Sequence, residues 1–117
     1  MNMQYVIRNT EQTMSFVRTL TFTVPPNRIE ELNPGHNLYL AAVHGTKIAA
    51  QNTPGFHRGG VWMQRQPNGA VKVFMYSQWY DLDNIEDYAN IPMVRDFERD
   101  VSTYLGTPVV DVYEVMG

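Results

Sequence analysis

The stretch that most constrains the fold is residues 71–81, VKVFMYSQWYD. On an extended strand successive side chains point to opposite faces. Val71, Val73, Met75, Ser77 and Trp79 therefore share one face, and Lys72, Phe74, Tyr76 and Gln78 share the other. Neither face is written for water, so the chain must cover both sides of this strand. Just before it, Pro67-Asn68-Gly69 is a tight-turn signal, because Asn-Gly takes positive φ at low cost. The turn pairs the strand with FHRGGVWMQRQ, residues 56–66. The Gly59-Gly60 pair there predicts a bulge or a close approach to the backbone.

The remaining elements follow from period and punctuation. Residues 15–24, SFVRTLTFTV, are rich in β-branched and aromatic types and set Phe16, Leu20, Phe22 and Val24 against Val17, Thr19, Thr21 and Thr23. This pattern predicts a strand, ended by Pro25-Pro26. A helical turn is expected in 27–32, then a helix from Pro34 to about Gln51 with Leu40, Val43, His44 and Ile48 at helical spacing. Asp81 can cap a short helix, and Pro92 opens another whose stripe is Met93, Phe97, Val101, Tyr104 and Leu105. Gly106 and Pro108 stop it, and residues 108–116 form the last strand.

Strand, helix, two strands, helix pair and strand is the βαββαβ order of a ferredoxin-like α+β fold, a four-stranded antiparallel sheet with helices on one face. Residues 1–14 are expected to be an N-terminal arm and 15–117 a single domain. The face bearing Phe74 and Tyr76 would remain bare in a monomer, which points to a homodimer packed sheet to sheet. The composition agrees. Only 18% of residues are charged against 44% apolar, a light charge load that favours association.

A net charge of −3 offers no basic field for a phosphate backbone, so nucleic acid is not an expected partner. No apolar run is long enough to span a membrane and no leader pattern opens the chain, so no membrane is expected as a partner and the expected location is cytoplasmic. Without Cys, thiolate chemistry is excluded. His36 and His44 lie two helical turns apart, too far to share a metal without a third element, and the acidic residues 81–87 lack the spacing of a calcium loop. No metal site is expected. Arg95, Asp96, Glu98, Arg99 and Asp100 read as a solvated helix face with local pairs.

Pro54-Gly55-Phe56 entering a strand, the Asn-Gly hairpin, the strand closing in Trp79, the Asp81 cap and the final Val-x-Val-Tyr-Glu-Val strand together resemble the antibiotic-biosynthesis-monooxygenase-like proteins, which are dimeric α+β barrels. The resemblance spans roughly residues 15–116. It implies a homodimer with a pocket between sheet and helices in each subunit. Its cofactor-free branch, which oxidises polycyclic aromatic phenols to quinones, carries an Asn four residues before the strand-ending Trp; here Trp79 is kept and Met75 stands at the Asn position. Its haem-degrading branch uses a Trp and a His where this chain has Tyr88 and Glu98, and no His follows His57.

The expected function is therefore a cofactor-independent monooxygenase-like reaction on a small hydrophobic or aromatic, polyketide-like metabolite. The alternative is a non-catalytic dimer that binds such a ligand, and haem degradation ranks third. Met75, Trp79, Tyr88 and Phe97 are the expected ligand-lining residues. His44 or His57 is the expected acid or base, because imidazole titrates naturally near neutral pH.

Overall fold

The computed structural model describes residues 15–117; the expected N-terminal arm lies outside them. Strand β1, Phe16–Val24, ends at Pro25 and passes into a 3₁₀ segment, Pro26–Leu32. A helical stretch then runs from 37 to 51. It consists of α1 (Asn37–Tyr39), a π-helical segment (Leu40–Gly45) and α2 (Thr46–Gln51). Its start falls later than Pro34 because Gly35 turns the chain at φ 99°. Strands β2, Phe56–Arg65, and β3, Val71–Trp79, form the expected hairpin. Gly69 closes the turn at φ 89°, and the Asn68 side chain accepts a hydrogen bond from the Ala70 amide at 3.0 Å.

Helix α3, Leu82–Ala89, is capped by Asp81, whose carboxylate accepts from the Asp83 amide at 3.1 Å. Helix α4, Pro92–Tyr104, places Pro where its missing N–H costs nothing. Strand β4, Val109–Glu114, is the last element of the described residues. All strand pairs are antiparallel and the sheet order is β2-β3-β1-β4, a ferredoxin-like α+β fold.

Register fixes what each face carries. Three rows cross β2, β3 and β1 on the helix-covered side: Met63, Val73 and Phe22; Val61, Met75 and Leu20; and Gly59, Ser77 and Arg18. A bulge between Phe56 and Arg58 enters β2 just ahead of the glycine pair. Gly59 is a close-approach position, since a Cβ there would sit 2.7 Å from the Tyr76 carbonyl oxygen. On the opposite side Trp62 stacks on Phe74, with centroids 5.6 Å apart, and leans on Tyr76 at 5.3 Å. Trp62 remains 62% exposed, so no part of the described chain covers this aromatic cluster.

The α4 stripe differs from the sequence reading. Val94, Phe97 and Val101 are buried, while Met93 is 48% exposed and Tyr104 is also exposed. With Pro92 at the first helical position, the spacing of three and four that reaches the sheet starts at 94. We predict that Val94→Ala lowers unfolding free energy by about 1–3 kcal/mol, whereas Met93→Ala stays within about 0.5 kcal/mol, as read by denaturant melts.

Candidate functional site

Between the sheet and the 37–51 helix lies a cavity of about 610 Å³. Leu20, Val61, Val73 and Met75 form its apolar floor. Ala42, Thr46 and Ala50 look down from the helix above, and Phe97 closes one side from α4. The space exists because the roof residues are small. A helix carrying Leu at 42 or 50 would reach the floor.

The cavity is not uniformly apolar. Arg18 lies on the helix-facing side of β1 with only 9% of its surface exposed, and its Nη2 meets the Glu98 carboxylate of α4 at 2.8 Å. The guanidinium also stands 5.8 Å from the Tyr88 ring centroid, within cation–π range. Tyr88 itself is buried, and burial pushes its phenol up to about 12, with the Arg18 charge and the Thr46 hydroxyl opposing and Glu98 adding to the rise. Arg18, Ser77, Tyr88 and Glu98 thus give one region of the cavity a polar wall of charges and hydroxyls.

Of the residues expected to line a ligand site, Met75, Tyr88 and Phe97 border this cavity. Trp79 does not reach the cavity. It is completely buried behind the wall, 5.1 Å from the Tyr88 ring and 5.2 Å from Phe56, and its indole N–H donates to Ser77 Oγ at 2.8 Å. The Trp braces the residues that form the wall.

Neither expected histidine borders the cavity. His44 follows Ala42 by two residues, so the helix turns it to the opposite side from Ala42 and Thr46; it is exposed against the Tyr39 ring. His57 sits in the β2 bulge, where the extra residue leaves the ladder, and its Nδ1 meets the Tyr80 hydroxyl at 2.9 Å in an exposed position. The reading of α4 as a solvated face with local pairs holds for Arg99, which pairs with Asp96 and Asp100, but not for Glu98. The sequence signal for Glu98 was its place four residues after Val94, on the same helix stripe as Phe97 and Val101. The signal for Arg18 was equally plain: one charge in the apolar register of Phe16, Leu20, Phe22 and Val24. Among the described residues no cluster of three or more His, Asp and Glu could hold a metal ion, and no helix is long and apolar enough to cross a membrane.

The chain is thus an α+β protein of ferredoxin-like fold with a cavity between its sheet and its helices. No protein-family model and no curated protein matches it in sequence. Solved structures match it in fold. A proposed antibiotic biosynthesis monooxygenase from Nitrosomonas europaea superposes with a TM-score of 0.69 at 11% identity, over 90% of this chain and 93% of that one. A Streptomyces coelicolor monooxygenase in complex with nanaomycin D gives 0.63 at 20% identity, over 89% of each. A dimeric protein of unknown function and ferredoxin-like fold from Bacteroides fragilis gives 0.59 at 17% identity, over 89% of this chain and 98% of that one. The resemblance read from the sequence is thus matched by a shared fold.

Tyr88 provides a test of the burial of this site. Its pKa is raised relative to an exposed phenol near 10. Between about pH 10 and pH 12 the unfolded chain releases this proton while the folded chain keeps it, so stability falls as pH rises through that window. Tyr88→Phe should remove about 2–3 kcal/mol of that fall, read as a flatter dependence of the urea midpoint on pH between 10 and 12.

Proposed function

We propose that the chain is a cytoplasmic homodimer whose protomers each enclose a small hydrophobic, aromatic metabolite and oxidise it with O₂ without a cofactor. The observation that carries this reading is the cavity. At about 610 Å³ it is of the size that takes a fused-ring ligand, and its floor is apolar with a polar wall at one region. The shared fold with monooxygenase-like proteins supports the class of reaction. Its chemistry would be the conversion of a ring methylene to a carbonyl. The substrate loses one proton to become an enolate, which passes its electrons to O₂. The resulting peroxide at that carbon collapses with loss of the second hydrogen, leaving one oxygen atom in the ketone and the other in water.

Oxygen-electrode assays with anthrone-type phenols test this. One O₂ should disappear per ligand without release of hydrogen peroxide, and Ala42→Trp, which fills the roof side, should cut the rate by at least about tenfold. Tight binding with no uptake across the panel would instead establish the second reading, a non-catalytic binder. That reading has its own support: His44 and His57 lie outside the cavity, and Met75 stands where the resembling phenol oxidases have Asn.

The homodimer rests on the uncovered cluster of Trp62, Phe74 and Tyr76, which a second copy's sheet would bury. The Bacteroides neighbour is described as dimeric. Light scattering should give twice the chain mass, and Phe74→Glu together with Trp62→Glu should give monomers that keep helical and strand circular dichroism. A monomeric wild type at tens of micromolar would reject the dimer.

A further inference from the structure

We propose that Arg18 and Glu98 act together as the specificity pair of the cavity, reading a ligand hydroxyl whose oxygen accepts from the Arg18 guanidinium and whose hydrogen is donated to the Glu98 carboxylate. This rests on the small-molecule reading of the cavity above.

Stability alone does not explain the pair's position. Arg18 is on a central strand of the sheet, and the side chains of the pair are 10% and 23% exposed. Taking two charges out of water costs several kcal/mol per ion, and well-packed apolar residues of similar volume often serve the fold as well or better. Here both charges line the cavity of about 610 Å³, and each is held by a different element, β1 and α4. The guanidinium is further fixed over the Tyr88 ring. A guanidinium carries five donors and a carboxylate about four acceptor positions, so the pair has capacity beyond the contact that joins it.

The combination selects by charge as well as by shape. A phenol or enol brings both an acceptor for Arg18 and a hydrogen for Glu98. A methyl ether offers no hydrogen, which leaves the carboxylate's side unmatched. A carboxylate ligand satisfies Arg18 but sets its negative charge against Glu98. Of these ligand types the hydroxyl alone matches both partners without displacing either.

Equilibrium dialysis of the full chain at neutral pH with 2-naphthol, 2-methoxynaphthalene and 2-naphthoate tests this. Naphthol should bind about tenfold or more tighter than either of the others, the effect expected of hydrogen bonds to charged groups. In the double variant Arg18→Met/Glu98→Leu, which leaves neither charge orphaned, the preference should shrink below about threefold while the ether keeps its wild-type affinity. Equal affinities in the wild type, or a preference that survives the double variant, would overturn the assignment. Binding of none of the three would overturn it along with the small-molecule reading. Selective naphthol binding without oxygen uptake would leave the specificity pair standing and reject only the oxygenase chemistry.

Discussion

The antiparallel ladder between β1 and β3 is the constraint on which everything else hangs. It pairs Phe16 with Trp79 at one end and Val24 with Val71 at the other, and it occupies the middle of the sheet. With strands on both flanks, neither member can satisfy its backbone by leaving, and neither can turn a face to water without exposing large side chains. The helices therefore have to lie across the Leu20, Phe22, Val73 and Met75 side. The other side keeps Phe74 and Tyr76, and the edge-strand Trp62 stacks on them because nothing larger from the described chain is available.

The cavity follows from how that helical cover is composed. Two hydrophobic clusters form beneath it. One is built on Leu20, Phe22, Val73, Phe97 and Val101, and the other on Trp79, Ile85, Tyr88 and Val94. Between them the sheet contributes the row of Gly59, Ser77 and Arg18, with no apolar side chain to join the clusters. Above that row the 37–51 helix supplies Thr46, whose hydroxyl donates to the Ala42 carbonyl at 2.8 Å, flanked by small alanines. A polar seam under a roof of short side chains leaves space where a core would otherwise close. The π-helical segment Leu40–Gly45 lies in this roof, and such segments are frequent at functional sites.

Most of this was legible in the sequence where a residue's local signal and its tertiary role agree. Pro25, Asn68-Gly69, Asp81 and Pro92 punctuate the chain as their backbone chemistry requires, so the element order and the ferredoxin-like topology could be read directly. The wall residues Met75, Tyr88 and Phe97 could be read too, because strand alternation and helix period decide their direction. Trp79 differs, since it does not border the cavity. Period places it on the correct face, but whether a side chain reaches a void or stops behind its neighbour depends on the ring of Tyr88, from a distant helix. The helical spacing of Leu40, Val43, His44 and Ile48 points His44 at the core, but the stripe that is buried runs through Ala42, Thr46, Ala49 and Ala50, and the bulge lifts His57 out of the ladder. Charges on a strand or helix are normally solvated, and only the three-dimensional pairing of β1 with α4 reveals that Arg18 and Glu98 face each other.

For the proposed oxidation, that pairing also limits what the cavity can contribute. Its titratable side chains on the helix-covered face are the cations Arg18 and Lys47, the phenols Tyr39 and Tyr88, and one carboxylate, Glu98. A phenol is protonated at neutral pH, and Tyr88 is held so more firmly by burial. Cations have no proton-accepting lone pair to offer. In the proposed reaction Glu98, the one carboxylate among the described lining residues, would receive the substrate's proton. A carboxylate is a weak base, so it cannot by itself remove a proton from an unactivated C–H bond. The acidity has to come from the substrate, in an aromatic framework that delocalises the negative charge, and from Arg18, which stands beside the carboxylate and favours that charge electrostatically. The substrate class proposed above would therefore be one already close to ionising, with fused rings that the apolar floor can take.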